Sequence, residues 1–263
     1  MKVGISTASF FNKTVTESCF DVLRELRCDV TEVFLNSFYE YEKSFADALA
    51  SRRGSVSVHS VHALPTQFEP ELFNANARVR NDAEVIFRKV CYAGHVLGAK
   101  YYTFHGPLKL KNQPFSVDYE RMGARLNQLI EIAETYGLKI AYENVHYSYF
   151  SEPEFFKNMS KVCPKLYATL DVKHAILAEQ DVFDYVDAAG EKLATVHLCD
   201  IQKNNATALP GQGRINFDKF IKLLFSRSVV CPLILEVYPS DYTEVRQVCD
   251  VFNLISNCVK KHS

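Results

Sequence analysis

Four short apolar runs each end in a side chain able to bind a cation, and this pattern limits the fold more than any other. The runs are Lys-Ile-Ala-Tyr-Glu143, Leu-Tyr-Ala-Thr-Leu-Asp171, Leu-Ala-Thr-Val-His197 and Pro-Leu-Ile-Leu-Glu236. Runs of this length and composition read as strands buried on both faces of a parallel sheet. One terminal carboxylate means little, because it can simply cap the next helix. Four such endings in succession, with helical patterns between them, are not explained by turn chemistry alone. Parallel, adjacent strands would bring the four side chains to one end of the sheet. Three acids and a histidine in a small space repel unless a cation sits among them.

The rest of the chain repeats the same unit. Strands are expected at Val3 to Thr7, Val30 to Leu35, Ser55 to His62 and Tyr101 to His105, ahead of the four above. Helical periodicity fills the gaps. It is clearest where Val79, Ala83, Ile86, Val90, Ala93 and Leu97 recur at three- and four-residue steps before Gly98. Thr14 with Glu17, and Ser151 with Pro153 and Glu154, read as helix starts. Asp241 and Glu244 open a last helix through Val248, Phe252, Ile255 and Val259. Eight strands alternating with eight helices, with no linker or low-complexity segment, predict an α/β fold: a single (β/α)8 TIM barrel domain over residues 1–263. Thr-Ala-Ser-Phe-Phe follows the first strand, where a dinucleotide site would need a glycine-rich loop.

Composition narrows the function classes. A formal charge of -1 argues against a nucleic-acid partner, which usually meets a basic excess. No apolar run is long enough to span a membrane, and strand-like Lys-Val-Gly-Ile-Ser stands where a signal peptide would begin. The eight cysteines are scattered and form no Cys-x-x-Cys pair. Most, such as Cys91, Cys199 and Cys249, lie in apolar runs and read as reduced, buried thiols of a cytoplasmic protein.

In such a barrel the chemistry sits at the carboxyl ends of the strands. His62 closes the third strand and His105 the fourth, joining Glu143, Asp171, His197 and Glu236; His174 follows Asp171 by three residues. His59 lies further back in its strand and reads as structural. Any one of these residues has an ordinary explanation, but their equivalent places in successive units weaken it.

The same residues carry a resemblance across the whole chain. Gly-Ile-Ser-Thr, His62-Ala, Phe-His105-Gly-Pro, Glu143-Asn, Leu-Asp171-Val-Lys-His174, Val-His197-Leu-Cys-Asp, Pro-Gly-Gln-Gly-Arg and Leu-Glu236-Val-Tyr appear in order. The chain resembles the xylose-isomerase-like barrel superfamily, which holds sugar isomerases and epimerases and the endonuclease IV repair enzymes. The resemblance implies a divalent metal on Glu143, Asp171, His197 and Glu236, with manganese expected first and zinc, cobalt or magnesium as alternatives. In the endonuclease-like members, positions matching His62 and His105 join Glu143 at a second zinc. The position matching His174 there joins an Asp-x-His pair at a third. Here Asn205-Ala206-Thr207 stands in place of that pair. The departure favours the sugar enzymes, in which the resemblance makes His174 and the basic position of Lys203 substrate contacts.

The implied activity is isomerisation or epimerisation of a small sugar, sugar phosphate or related polyol. A metal on the carbonyl would stabilise an enediolate. Glu143 and Glu236 would then act as the catalytic acid and base. A dehydratase acting on a polyol ketone would begin with the same proton abstraction. Phe10, Tyr142, Tyr147 and Tyr238 are candidates for an apolar wall, and Lys109 and Lys111 for a phosphate contact, with packing or a solvated loop as the plainer readings. Two alternatives stand: zinc-dependent phosphodiester cleavage at abasic DNA sites, and a non-catalytic sugar-binding barrel. Self-association is left open.

Overall fold

Most barrel strands are short, largely apolar runs because they pack on both faces, inward on the other strands and outward on a helix. The structure, a computed structural model, describes residues 1–109 and 116–263. The strands are β1 (Val3–Ser6), β2 (Val30–Leu35), β3 (Ser57–Ala63), β4 (Tyr101–Phe104), β5 (Lys139–Glu143), β6 (Tyr167–Asp171), β7 (Leu193–Leu198) and β10 (Leu233–Leu235). They pair in parallel in the order β1-β2-β3-β4-β5-β6-β7-β10 and close back onto β1. The predicted single-domain TIM barrel is the fold.

Helices α1 (Cys19–Glu25), α2 (Lys43–Arg52), α3 (Ala77–Leu97), α4 (Tyr119–Thr135), α5 (Pro153–Val162), α6 (Val172–Leu177), α7 (Val182–Ala189), α8 (Phe217–Ser226) and α9 (Val245–His262) connect or follow the strands. Helix α3 shows the local logic. Asn76 caps it by accepting from the Arg78 N–H at 2.9 Å, and Gly98 ends it at φ 71°. Its buried face is Ala83, Phe87, Val90, Cys91, Gly94 and Leu97, with Ile86 at the margin.

Two expected helix starts fall elsewhere. The Thr14–Glu17 pair caps no helix: Val15 holds the cap position of a 3-10 turn over Thr16–Ser18 without a side-chain bond, and α1 follows, also without one. Ser151 does not cap α5, because its hydroxyl receives Lys109 Nζ; Glu152 holds the cap position without a side-chain bond. Glu244 and Gln247 do form a capping box at α9. The loop after β7 holds a small antiparallel hairpin, β8 (Asp200–Ile201) with β9 (Thr207–Ala208).

Candidate metal centre at the carboxyl end of the barrel

Neighbouring strands in register bring the four strand-end side chains together. Glu143 ends β5, Asp171 ends β6 opposite His197 of β7, and Glu236 follows β10. One ligand atom from each lies within 4.8 Å of all the others. Nδ1 of His197 sits between the two glutamates, 3.1 Å from Oε1 of Glu143 and 3.3 Å from Oε2 of Glu236. Glu143, Asp171 and His197 are buried, and Glu236 is 13% exposed toward the mouth.

The two earlier histidines join from the other side. His105 Nε2 is 2.9 Å from Glu143 Oε2, and His62 Nδ1 is 3.5 Å from Glu236 Oε1. His62, His105 and Glu143 form a second group whose ligand atoms could hold a cation. The turn that aims His105 needs glycine. Gly106 has φ +64°, and a Cβ there would lie 2.1 Å from the Tyr142 hydroxyl oxygen. Glu69 steadies the turn by accepting from the N–H groups of His105 and Gly106, at 2.8 and 3.1 Å, and from the Tyr102 hydroxyl at 2.9 Å.

Sequence reasoning missed Glu32. It lies in the interior of β2, fully buried, and links the two halves of the site. His62 Nδ1 lies 3.3 Å from its Oε1, and His197 Nε2 lies 3.2 Å from its Oε2. With His62 Nε2 3.4 Å from His105 Nδ1, the residues Glu32, His62, His105, Glu143 and His197 close into a ring. The available signal was an acid in the otherwise uncharged strand Val-Thr-Glu-Val-Phe-Leu. His59, by contrast, packs as expected, with Nε2 3.0 Å from the Ala194 carbonyl and 3.1 Å from the Thr195 hydroxyl.

Charges in the ring compensate one another. Burial alone would raise Glu32 and Glu143, yet His197 beside the first and His105 and His197 beside the second hold both well below the usual carboxylate range. Burial would lower His62, but its bonds to Glu236 and Glu32 push it up to about 10.

Asp171 has two roles. Its Oδ1 accepts the His174 N–H at 2.8 Å and caps α6, while Lys173 Nζ stands 3.2 Å from its Oδ2. Lys173 is buried and donates to the Tyr238 hydroxyl at 2.8 Å. His174 meets His146, a second residue not anticipated, with the two Nδ1 atoms 2.8 Å apart. Burial, then the Lys173 charge, keeps both imidazoles below the usual histidine range, so they are neutral near pH 7.

Other candidates separate by exposure. Phe10 and Tyr142 are core residues with no exposed surface, whereas Tyr147 and Tyr238 are 44% and 40% exposed. Lys203 is exposed on the turn of the β8–β9 hairpin, and no described contact joins it to the cluster. Lys111 lies outside the described residues. The Pro-Gly-Gln-Gly motif serves the loop itself. Asp200 accepts from the N–H groups of Gly211, Gly213, Ile215 and Ile201 at 3.0, 2.9, 3.1 and 2.8 Å. A Cβ on Gly213 would fall 2.3 Å from the Asp200 carboxylate.

The four-residue group fits a divalent cation. Its donors are three carboxylates and one imidazole, a set suited to manganese, magnesium, cobalt or zinc. Glu143 Oε2 and Asp171 Oδ2 are buried without an aligned hydrogen-bond donor. Three carboxylates, a divalent ion and the Lys173 ammonium sum to zero charge.

The sequence matches the Xylose isomerase-like TIM barrel family over residues 20–252. No curated protein matches it. Among solved structures it is similar to a D-tagatose 3-epimerase-like protein, at 20% identity and a TM-score of 0.82 over 100% of this chain and 98% of that one. It is similar to an IOLI protein with a binding zinc atom, at 18% identity and 0.82 over 100% and 99%. It is also similar to D-psicose 3-epimerase with D-tagatose from Clostridium cellulolyticum H10, at 14% identity and 0.80 over 98% and 99%. These identities speak for a shared fold, and the family match spans most of the sequence; the chain belongs to the Xylose isomerase-like TIM barrel family.

Proposed function

We propose that this protein is a divalent-metal-dependent isomerase or epimerase of a small sugar or related polyol. The observation that carries the reading is the convergence of Glu143, Asp171, His197 and Glu236 within 4.8 Å at the barrel mouth. Several solved structures it resembles are sugar 3-epimerases, which supports the substrate class. A divalent ion on these residues, manganese being the first to test and zinc, cobalt and magnesium next, supplies a Lewis acid that acidifies a C–H beside a carbonyl. Glu143 and Glu236 flank that position and exchange the proton, one taking it and the other returning it. Their placement on β5 and beyond β10, with β6 and β7 between, gives the two carboxylates separate approaches to a substrate. The neutral His174 imidazole offers a hydrogen bond to a sugar hydroxyl, and Lys203 on the hairpin turn is a second candidate contact. Tyr147 and Tyr238 supply ring faces at the rim for the sugar's C–H groups.

The test combines metal content by elemental mass spectrometry with solvent deuterium exchange into ketoses followed by NMR. About one manganese, cobalt or magnesium ion per chain, with exchange beside the carbonyl, is expected. Glu143→Gln and Glu236→Gln should each lower exchange about 10²–10⁴-fold. His62, His105 and Glu143 favour a second reading with more than one metal. Two or three zinc ions per chain with cleavage of abasic DNA would replace the sugar reading. A protein that takes up no metal and exchanges no ketose would overturn both.

A further inference from the structure

Glu32 is held before it meets any histidine. The hydroxyls of Ser60 and Thr103 donate to its Oε2 at 2.7 and 2.6 Å, and Ser6 donates to Oε1 at 3.4 Å. These donors come from β1, β3 and β4 and fix the carboxylate plane. His197 Nε2 lies 3.2 Å from both carboxylate oxygens; Oε2 is taken by Ser60 and Thr103, and Oε1 stands beside His62 and Glu236.

A carboxylate only accepts hydrogen bonds. His197 Nε2, 3.2 Å away, must therefore carry the hydrogen of that contact. Nδ1, 3.1 Å from Glu143 Oε1, carries a hydrogen as well until a cation takes its place; the imidazole then has one N–H left, on Nε2, and Nδ1 has a free lone pair. Nδ1 is the nitrogen aimed between Glu143 and Glu236. Carboxylates that bond the far nitrogen of a metal-binding histidine fix its tautomer and ring orientation. We propose that Glu32 is a positioning residue that holds His197 as the Nε2–H tautomer and presents Nδ1 to a divalent cation. This inference rests on the metal reading above.

Nitrogen-15 NMR tests it without relying on activity. In the wild type, stripped of metal, His197 should show a downfield, exchange-protected Nε2–H. After loading with ¹¹³Cd²⁺, scalar coupling should appear on Nδ1 of His197. Glu32→Gln should lose the protected Nε2–H and bind Mn²⁺ and Cd²⁺ about 10–100-fold more weakly by calorimetry. Glu32→Asp, which keeps the charge, should recover part of that affinity. If Glu32→Gln does not fold, the wild-type spectra decide alone. Coupling to Nε2, or no protected Nε2–H, overturns the proposal. A wild type that binds neither ion sinks the metal reading, while the Nε2–H signal still decides whether Glu32 fixes the tautomer.

Discussion

Nε2 of His197 lies 3.2 Å from the carboxylate of Glu32, across 165 residues of sequence. The contact joins β2 to β7, three strands apart around the closed barrel. Through it, the four-residue group at β5, β6, β7 and β10 is tied to His62 and His105. The mouth of the barrel is one electrostatic unit.

Removing and restoring a divalent ion should change stability. An ion that binds only the folded protein stabilises it by about 2.7 kcal/mol at 100 times its Kd. For a chain of this size that is a rise in Tm of about 5–10 °C. Differential scanning calorimetry of chelator-treated protein, with and without added Mn²⁺, measures it. A Tm indifferent to Mn²⁺, Zn²⁺, Co²⁺ and Mg²⁺ would count against the site.

Metal affinity should rise with pH. Burial, offset in part by Lys173 and reinforced by Glu143 and Glu236, pushes the Asp171 carboxyl up to about 6. A cation must displace that proton, so binding weakens by about 1.4 kcal/mol for each pH unit below 6. Calorimetric titrations at pH 5, 6 and 7 should give steadily tighter binding, and a flat series would remove Asp171 from the ligand set.

His62 sets the opposite trend in metal-stripped protein. Its folded-state value, up to about 10, lies above an unfolded value of about 6.5. Its stabilising contribution is therefore complete below about pH 6.5 and is lost as pH rises through about 10. Denaturant midpoints between pH 7 and 10 should fall in the wild type. They should fall less in His62→Gln.

Lys173→Met should separate the stripped and loaded proteins. The lysine is the cation beside buried Asp171, and breaking a buried pair costs about 3–5 kcal/mol. A bound divalent ion supplies the missing positive charge. The variant should melt well below wild type without metal and gain more from Mn²⁺ than wild type does. Equal gains would mean that Lys173 and the cation do not share Asp171.

Asp200→Ala should loosen the loop after β7. The carboxylate satisfies backbone N–H groups of Gly211, Gly213, Ile215 and Ile201. Its loss should cost about 2–3 kcal/mol, the scale of bonds to a charged acceptor. Hydrogen exchange at residues 211–215 should quicken while the β7 amides stay protected. Unchanged exchange there would show that the loop is held by other contacts.

The sequence by itself determined the barrel and one side of its centre. Strand and helix periods are local, so Lys-Ile-Ala-Tyr-Glu143 and its counterparts can be read without knowing what they touch. Parallel pairing in a barrel then places equivalent strand ends at one mouth, which is why Glu143, Asp171, His197, Glu236, His62 and His105 were legible as a group. Only the tertiary structure decided the roles of Glu32, His146 and Lys173. Glu32 is mid-strand, and closure of the barrel brings it to His197. His146 lies in a loop whose path sets its approach to His174, and Lys173 is buried because the first turn of α6 packs against Tyr238. Exposure was likewise undecided, since Phe10 and Tyr238 look alike in sequence and end on opposite sides of the core boundary. The physical reason is the same in each case: secondary-structure period is set by neighbours along the chain, whereas burial and pairing are set by neighbours across the closed sheet.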